Sequence, residues 1–264
     1  MLLPMSLDKH DVWAVGEAYD GYVGRWSRAV AAEFVRWLDV DAGLRWLDVG
    51  CGTGALAEAI AAGAQPDAVV GVDPSQGFLE VAKARNPGLE FHVGDARALP
   101  VGENEFDVVV SGLALNFVPE PARAVAECAR AAKEGGLVAA YVWDYAEGME
   151  MMRHFWDVAV ELDPAAAELD EGRRFSLCRP VGLREVWEGM GDVVVEAIDI
   201  PTVFTGFDDL WRPFLGGQGS APGYAMSLSE DRRGELRGRL RERLGEGEIR
   251  LKARAWAVKG RVIS

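Results

Sequence analysis

Apolar and polar positions follow two rhythms along this chain. Between residues 44 and 144, short apolar runs of strand length alternate with stretches of helical period. The runs are RWLDVG, DAVVGVD, LEFHVGD, FDVVVSGLAL and LVAAYVWD; the helical stretches are ALAEAIAAG, SQGFLEVAKAR and PARAVAECARAAKEGG. Gly63 closes the first helix. Ser75 is the expected N-cap of the second, with Pro87 soon after its end, and Gly135 and Gly136 are expected to stop the third. The order βαβαβ…βαβ predicts a parallel sheet with helices on both faces.

Outside this segment the rhythm loosens. Residues 11–39 read as helical, interrupted near Gly21 and Gly24, with Ala29, Ala32, Phe34, Val35 and Leu38 as the apolar face. Residues 147–190 read mostly as helix, and DVVVEAIDIPTVF as a strand. Residues 205–228 mix aromatics with glycine and proline, and FLGGQGSAPGY within them reads as a mobile loop. SEDRRGELRGRLRERL reads as a charged, mostly solvated helix. EIRLKARAWAVKGRV alternates well enough to be a last strand, completing a seven-stranded sheet. The expectation is one α/β domain over 1–264, doubly wound and mostly parallel. Its core covers about 40–145 and 190–264, with the N-terminal helices 10–39 and the insertion 146–190 as a helical lid over substrate.

Composition narrows the function classes. A net charge of −14 from 42 acids and 28 bases disfavours a nucleic-acid partner. The three cysteines, Cys51, Cys128 and Cys178, form no CxxC or Cys/His cluster, so neither a disulfide framework nor a metal site is expected. The first residues lack the pattern of a signal peptide, and no apolar stretch approaches a membrane span, so the expected location is the cytoplasm.

The densest chemistry is LDVGCGTGALAEAI, residues 47–60. Gly50, Gly52 and Gly54 follow Asp48 between a strand and a helix, where a bare backbone turns tightly and approaches a ligand closely. GCGTGA satisfies the dinucleotide pattern, and Asp73 lies where a ribose-binding acid would stand, which keeps an NAD-dependent oxidoreductase open. Asp48 argues against it, because a fixed carboxylate there repels a pyrophosphate and suits a cation. With Asp95 after the third strand, three neighbouring strand ends carry acids. That rim fits a ligand with an ammonium group, a ribose and an adenine, and no phosphates.

LDVGCGTG, VVGVDPS, VGDARALP and FDVVVSGLALNFVPEP, in that order, resemble the successive motifs of class I S-adenosylmethionine (SAM)-dependent methyltransferases, the small-molecule branch that includes the ubiquinone and menaquinone biosynthesis methylases. The upstream YDGYVGRWS is similar to a segment of that branch. The resemblance implies a Rossmann-like fold and SAM as cofactor. It implies that Gly50, Cys51, Gly52 and Gly54 pass under the methionine and ribose, Cys51 serving as a small space-filler. Asp48 would face the amino group and Asp73 both ribose hydroxyls. Pro74 and Ser75 would flank the adenine, and Asp95 with the Ala96 backbone would meet its amino group. Ser111, Gly112 and Leu113 would border the methyl group. Tyr22, Arg25 or Trp26 would close over the cofactor, Arg25 facing its carboxylate.

The cofactor is already activated, so the protein chiefly positions the reactants and excludes water. A base is needed only where the acceptor loses a proton. Of the three histidines, His10 lies near the terminus and His92 within a strand. His154, in MEMMRHFWDVAV, is the candidate catalytic base, against the plainer reading of a structural histidine among aromatics. Asp144 and Tyr145 also stand at a strand end. Asn116 and Phe117 occupy a stretch where relatives carry a histidine pair or similar residues. No NPPY or DPPY follows the fourth strand, which favours carbon or oxygen over nitrogen as the methylated atom. Aromatics outside the core, among them Trp13, Tyr19, Trp143, Phe155, Trp156, Trp211 and Tyr224, suit a small, partly apolar acceptor or simply pack the lid. The non-enzymatic rival is a SAM-binding regulatory protein.

Overall fold

The structure, a computed structural model, describes residues 24–217 and 219–263. The upstream positions Tyr22, Trp13, Tyr19 and His10 lie outside the described residues. In chain order the elements are α1 (Arg25–Leu38), β1 (Arg45–Val49), α2 (Ala55–Gly63), β2 (Ala68–Asp73), α3 (Gln76–Arg85), β3 (Glu90–Val93), β4 (Phe106–Gly112), α4 (Pro121–Ala131) and β5 (Ala132–Trp143). They continue with α5 (Glu150–Leu162), α6 (Glu171–Arg174), α7 (Pro180–Val186), β6 (Gly191–Phe204), α8 (Phe207–Trp211), α9 (Ser220–Ser227), α10 (Glu230–Leu244) and β7 (Ile249–Arg261).

The seven strands form one sheet in the order β3-β2-β1-β4-β5-β7-β6. β1 pairs in parallel with β2 and β4, β2 with β3, and β4 with β5. β7 runs antiparallel to β5: Gly135 and Gly136 exchange bonds with Val262 at one end, and the Asp144 amide donates to Arg254 at the other. The mostly parallel, doubly wound sheet is the predicted architecture, and such sheets bind ligands beyond the C-terminal ends of their strands.

Contacts divide the chain into two compact units. The sheet unit comprises Ser27–Val142, Arg179–Ile198 and Ala255–Ser264. Of the described residues, the helical unit comprises Trp143–Cys178 and Asp199–Arg254 with Gly24, Arg25 and Trp26. In the sheet unit β1 is buried on both faces from Trp46 to Val49, which is why that run is apolar except at Asp48. Val30, Ala31, Phe34, Val35 and Leu38 form the buried face of α1. That face is rotated from the expected one: Ala29 is exposed and Ala32 half-buried, since alanine reports burial poorly.

Two further expectations are corrected. α4 ends at Ala131, not at the glycine pair, and β5 already begins at Ala132. Gly135 and Gly136 mark a strand irregularity instead. Gly135 has φ 72°, and a Cβ on Gly136 would lie 2.7 Å from the Lys133 carbonyl oxygen. The stretch 205–228 is largely helical. α9 accommodates Pro222 in its first turn, where amides have no helical acceptor, and buries Ala221, Tyr224 and Ala225. Only the turn around Gly216, Gly217 and Gly219 keeps the glycine character. α10 is the charged helix expected, yet Leu236 and Leu240 are fully buried.

Candidate functional site

The loop between β1 and α2 is shaped by three left-handed glycines, with φ of 74° at Gly50, 52° at Gly52 and 87° at Gly54. The Gly50 and Cys51 amides both donate to the Val72 carbonyl, at 2.7 and 3.1 Å, tying the loop to β2. A Cβ on Gly50 would lie 2.5 Å from the Ala114 Cβ, so the segment after β4 packs directly against this turn. Gly52 is different: nothing lies within 4 Å of where its Cβ would be. Gly54 begins α2 without a side-chain cap, which leaves helix N-terminal amides facing the loop.

Asp48 sits in β1 opposite Gly71 on one side and Val110 on the other. It is fully buried, and neither carboxylate oxygen has a hydrogen-bond partner. Burial first, and then the charge of Asp73, push its pKa up to about 8. Asp73, at the end of β2, is buried but satisfied: Oδ2 accepts from the Gly52 amide at 2.9 Å and Oδ1 from the Ser75 amide at 2.8 Å. Burial raises its pKa and those two amides oppose the rise. Ser75 caps α3, accepting from the Phe78 amide at 3.3 Å, and Pro74 beside it is exposed. The Cys51 thiol is buried and its pKa strongly raised by burial, so it is an inert space-filler and not a nucleophile.

Asp95 lies two residues past β3 and is held by Arg97 through Nη2 at 2.6 Å and Nε at 3.0 Å, with the Arg97 amide at 2.8 Å. The Arg97 hydrogen bonds hold its pKa down at about 2. Ala96 is half-buried beside it. Ser111 is buried at the end of β4, and a Cβ on Gly112 would lie 2.6 Å from the Tyr141 hydroxyl, so a larger residue there has to displace that ring. Leu113 follows with φ 57°, held by its amide donating to the Tyr141 carbonyl at 2.8 Å. A bulky residue in the left-handed region costs free energy, and such strain concentrates at functional sites. Nothing in the sequence marked that strain. Nor did it mark the buried, unpartnered Nδ2 of Asn116 in the turn that follows. Thus Asp48, Gly50, Cys51, Gly52, Gly54, Asp73 and Ser75 form one connected constellation in the sheet unit, and Ala114 brings the 111–114 segment against it.

The other two candidates belong to the helical unit. Arg25 donates to Asp209 Oδ1 at 3.0 Å and to the Val203 carbonyl at 3.3 Å, with its guanidinium 4.5 Å from the Trp26 ring and 5.1 Å from that of Phe204. His154 on α5 is half-buried, and its Nδ1 is buried without a partner. Burial, with Arg243 adding to it, holds its pKa down. Glu171 carries no signal in the sequence: it is a buried carboxyl whose Oε2 accepts from Trp156 Nε1 at 2.5 Å and whose pKa burial pushes up to about 7. Asp144, also buried, has one unpartnered oxygen. Among the described residues no group of three or more His, Cys, Asp or Glu could hold a metal ion, and no helix is long and apolar enough to cross a membrane.

Residues 47–140 match the sequence profile of the family described as Methyltransferase domain. A demethylmenaquinone methyltransferase of Renibacterium salmoninarum is 47% identical over 68 residues, a segment that makes up 26% of this chain and 29% of that protein. The chain thus spans less than a third of the curated relative it matches. In three dimensions it is similar to a Bacillus halodurans chain assigned as a methyltransferase, with a TM-score of 0.59 and 20% identity, covering 89% of this chain and all of the other. It is also similar to the Haemonchus contortus phosphoethanolamine N-methyltransferase 2 solved with S-adenosylhomocysteine (TM-score 0.55, 20% identity, 92% of this chain and 56% of that one). Residues 47–140 thus match the methyltransferase-domain family, and the fold is shared with the methyltransferase structures the chain resembles.

Proposed function

We propose that this chain binds SAM at the glycine loop and transfers its methyl group to a small, partly apolar acceptor, at carbon or oxygen. The observation that carries the reading is Asp48. A fully buried carboxyl with two orphaned oxygens, beside a loop whose central glycine faces open space, is a site built for a cationic ligand. The same carboxyl, neutral or ionised, offers a pyrophosphate no positive partner, which disfavours NAD. The residues fit the cofactor. Asp48 takes its ammonium group, and the backbone of Gly50, Cys51, Gly52 and Gly54 lies under its methionine and ribose. Asp73 has two of its roughly four acceptor positions filled by amides. The others are free for the ribose hydroxyls. Pro74 and Ser75 flank the adenine, and Asp95, fixed in orientation by Arg97, meets its amino group with Ala96.

When bound, SAM supplies an electrophilic methyl group on a sulfonium. The protein then has to orient the acceptor and exclude water. Ser111, Gly112 and Leu113 border the reacting end, and the strained Leu113 fixes the course of the chain there. For an acceptor that loses a proton, His154 is the candidate base, its lowered pKa keeping the ring neutral near pH 7. The quinone named in the Renibacterium relative makes a hydroquinone ring the first acceptor class to test. Calorimetric titration with SAM, S-adenosylhomocysteine and NAD, followed by methyl transfer to hydroquinones, tests the reading. Binding of both adenosyl ligands and not of NAD is expected. Binding of NAD alone would overturn it, and tight adenosyl binding with no transfer to any acceptor would make the chain a SAM-binding regulator.

A further inference from the structure

Two carboxyls meet at the C-terminal ends of β1 and β2, and the backbone serves only one of them. Asp73 receives the Gly52 and Ser75 amides. Asp48 is fully buried and has no hydrogen-bond partner on either oxygen. Neighbouring carboxyls in a desolvated place do not both ionise, and the shared proton settles on the one without donors. We propose that Asp48 is a neutral acid in the free protein and ionises only as a ligand's ammonium group arrives, so that cofactor binding expels a proton and selects for the α-amino group. This rests on the SAM reading above.

The groups that face Asp48 offer little else to stabilise its charge. Asp73 on β2 carries the same charge when ionised and so opposes ionisation of Asp48. The Cys51 thiol in the loop stays protonated, because burial and both carboxyls suppress its ionisation. The Ala57 amide, in the first turn of α2, opposes the effect of burial but is the smallest influence on Asp48. With a pKa raised to about 8, Asp48 holds its proton at neutral pH. On binding, its O–H bond breaks and the proton leaves to buffer. The ligand's ammonium then donates a hydrogen bond to the carboxylate, and no bond of the ligand is broken. The sign follows. Below about pH 8 each unit of acidity makes the carboxylate about tenfold scarcer, so affinity for an ammonium-bearing ligand falls with pH, and above that pH it levels.

The test is calorimetric titration of the full chain with S-adenosylhomocysteine and with 5′-methylthioadenosine, a thioether of the same nucleoside without the amino-acid portion. It is run in phosphate and in Tris, whose ionisation heats differ, from about pH 6 to about pH 8.5. We expect S-adenosylhomocysteine to release close to one proton at pH 7 and methylthioadenosine none. Only the first should tighten with pH, approaching tenfold per unit up to about pH 8. In Asp48→Asn the proton release and the pH dependence should vanish, while methylthioadenosine affinity stays within about threefold, which also reports that the pocket has folded. Tight S-adenosylhomocysteine binding with no proton released, or with a flat pH profile in the unaltered protein, overturns the proposal and leaves the SAM reading intact. Failure of both ligands to bind overturns the SAM reading, and this proposal with it.

Discussion

The two units hold their polar groups in different ways. At the glycine loop of the sheet unit the candidate carboxylate is held by backbone amides: Gly52 to Asp73 across 21 residues and Ser75 to Asp73 across 2. Around the candidate and buried groups of the helical unit, side chains from separate segments also pair with one another. Arg153 pairs with Asp170 across 17 residues, Trp156 with Glu171 across 15, Arg174 with Ser220 across 46 and Arg25 with Asp209 across 184. A ligand gripped by backbone needs glycines and turn residues at set spacing, which is what a motif is. A ligand met by side chains from several segments leaves no such trace. Under the proposed function, the first arrangement holds the cofactor and the second leaves no spacing to read.

The sharpest way to break the contrast is to fill the glycine loop. Gly52→Val places a branched side chain at φ 52°, in space that is open in the free protein. Binding of S-adenosylhomocysteine should fall by more than about a hundredfold, or beyond detection. Gly43→Ala is the control, since Gly43 has φ 77°, equally open surroundings and no place in the loop. It should share the modest drop in Tm expected of a left-handed glycine replaced, roughly 1 kcal/mol, and keep full affinity. Equal affinities in the two variants would separate the loop from the site.

Each unit also buries a carboxyl whose pKa burial strongly raises, and pH distinguishes their costs to folding. Asp48 is raised from 3.8 to about 8 and Glu171 from 4.5 to about 7. A carboxyl with a raised folded-state pKa adds no penalty below its unfolded value. Stability is then lost as pH rises to the folded value, by at most about 1.4 kcal/mol per unit, and is constant beyond. Asp48→Asn and Glu171→Gln keep the shape and remove that loss. In urea titrations of the free protein, Asp48→Asn should gain on the unaltered chain until about pH 8, and Glu171→Gln until about pH 7, where Gln still accepts from the Trp156 indole. A gap that does not change with pH would mean that the carboxyl in question is not buried as an acid.

Most of the sheet unit was legible because two periods and a glycine spacing carry it. Ser75 as a cap, Gly63 as a helix end and seven strands all follow from local rules. The glycine pair at 135 and 136 misled because the residue that ends helices also marks strand irregularities, and only the pairing partner decides which. The helices at 207–211 and 220–227 were hidden by glycine and proline whose positions, in first turns and between elements, are the ones helices tolerate. At the site, sequence named Asp48, Asp73 and Asp95 as a matching set. Their three environments come from burial and long-range partners: no donor for the first, two amides for the second, and Arg97 for the third. Glu171 was out of reach for the same reason. A glutamate at the start of a helical turn reads as solvated until the indole that covers it is known.

The smallest effect tests whether Arg25 belongs to either account. Sequence resemblance points it at the cofactor's carboxylate, while the structure commits its guanidinium to Asp209 and the rings of Trp26 and Phe204. Both partners of the ion pair are partly exposed, with 32% of the arginine and 25% of the aspartate side chain accessible. The pair is therefore worth about 0–1 kcal/mol. Arg25→Met keeps the apolar packing and removes the charge, and should lower Tm only slightly at neutral pH. Arg25 is the chief cause of the lowered pKa of Asp209. That contribution is present above the ordinary carboxylate range and lost as pH falls through the depressed value, so the variant and the unaltered chain should converge in strong acid. Affinity for S-adenosylhomocysteine should stay within about twofold, because a guanidinium already satisfied by a carboxylate gains little by exchanging it for another. A tenfold or larger loss of affinity, with Tm unchanged, would show that Arg25 leaves Asp209 when the ligand binds.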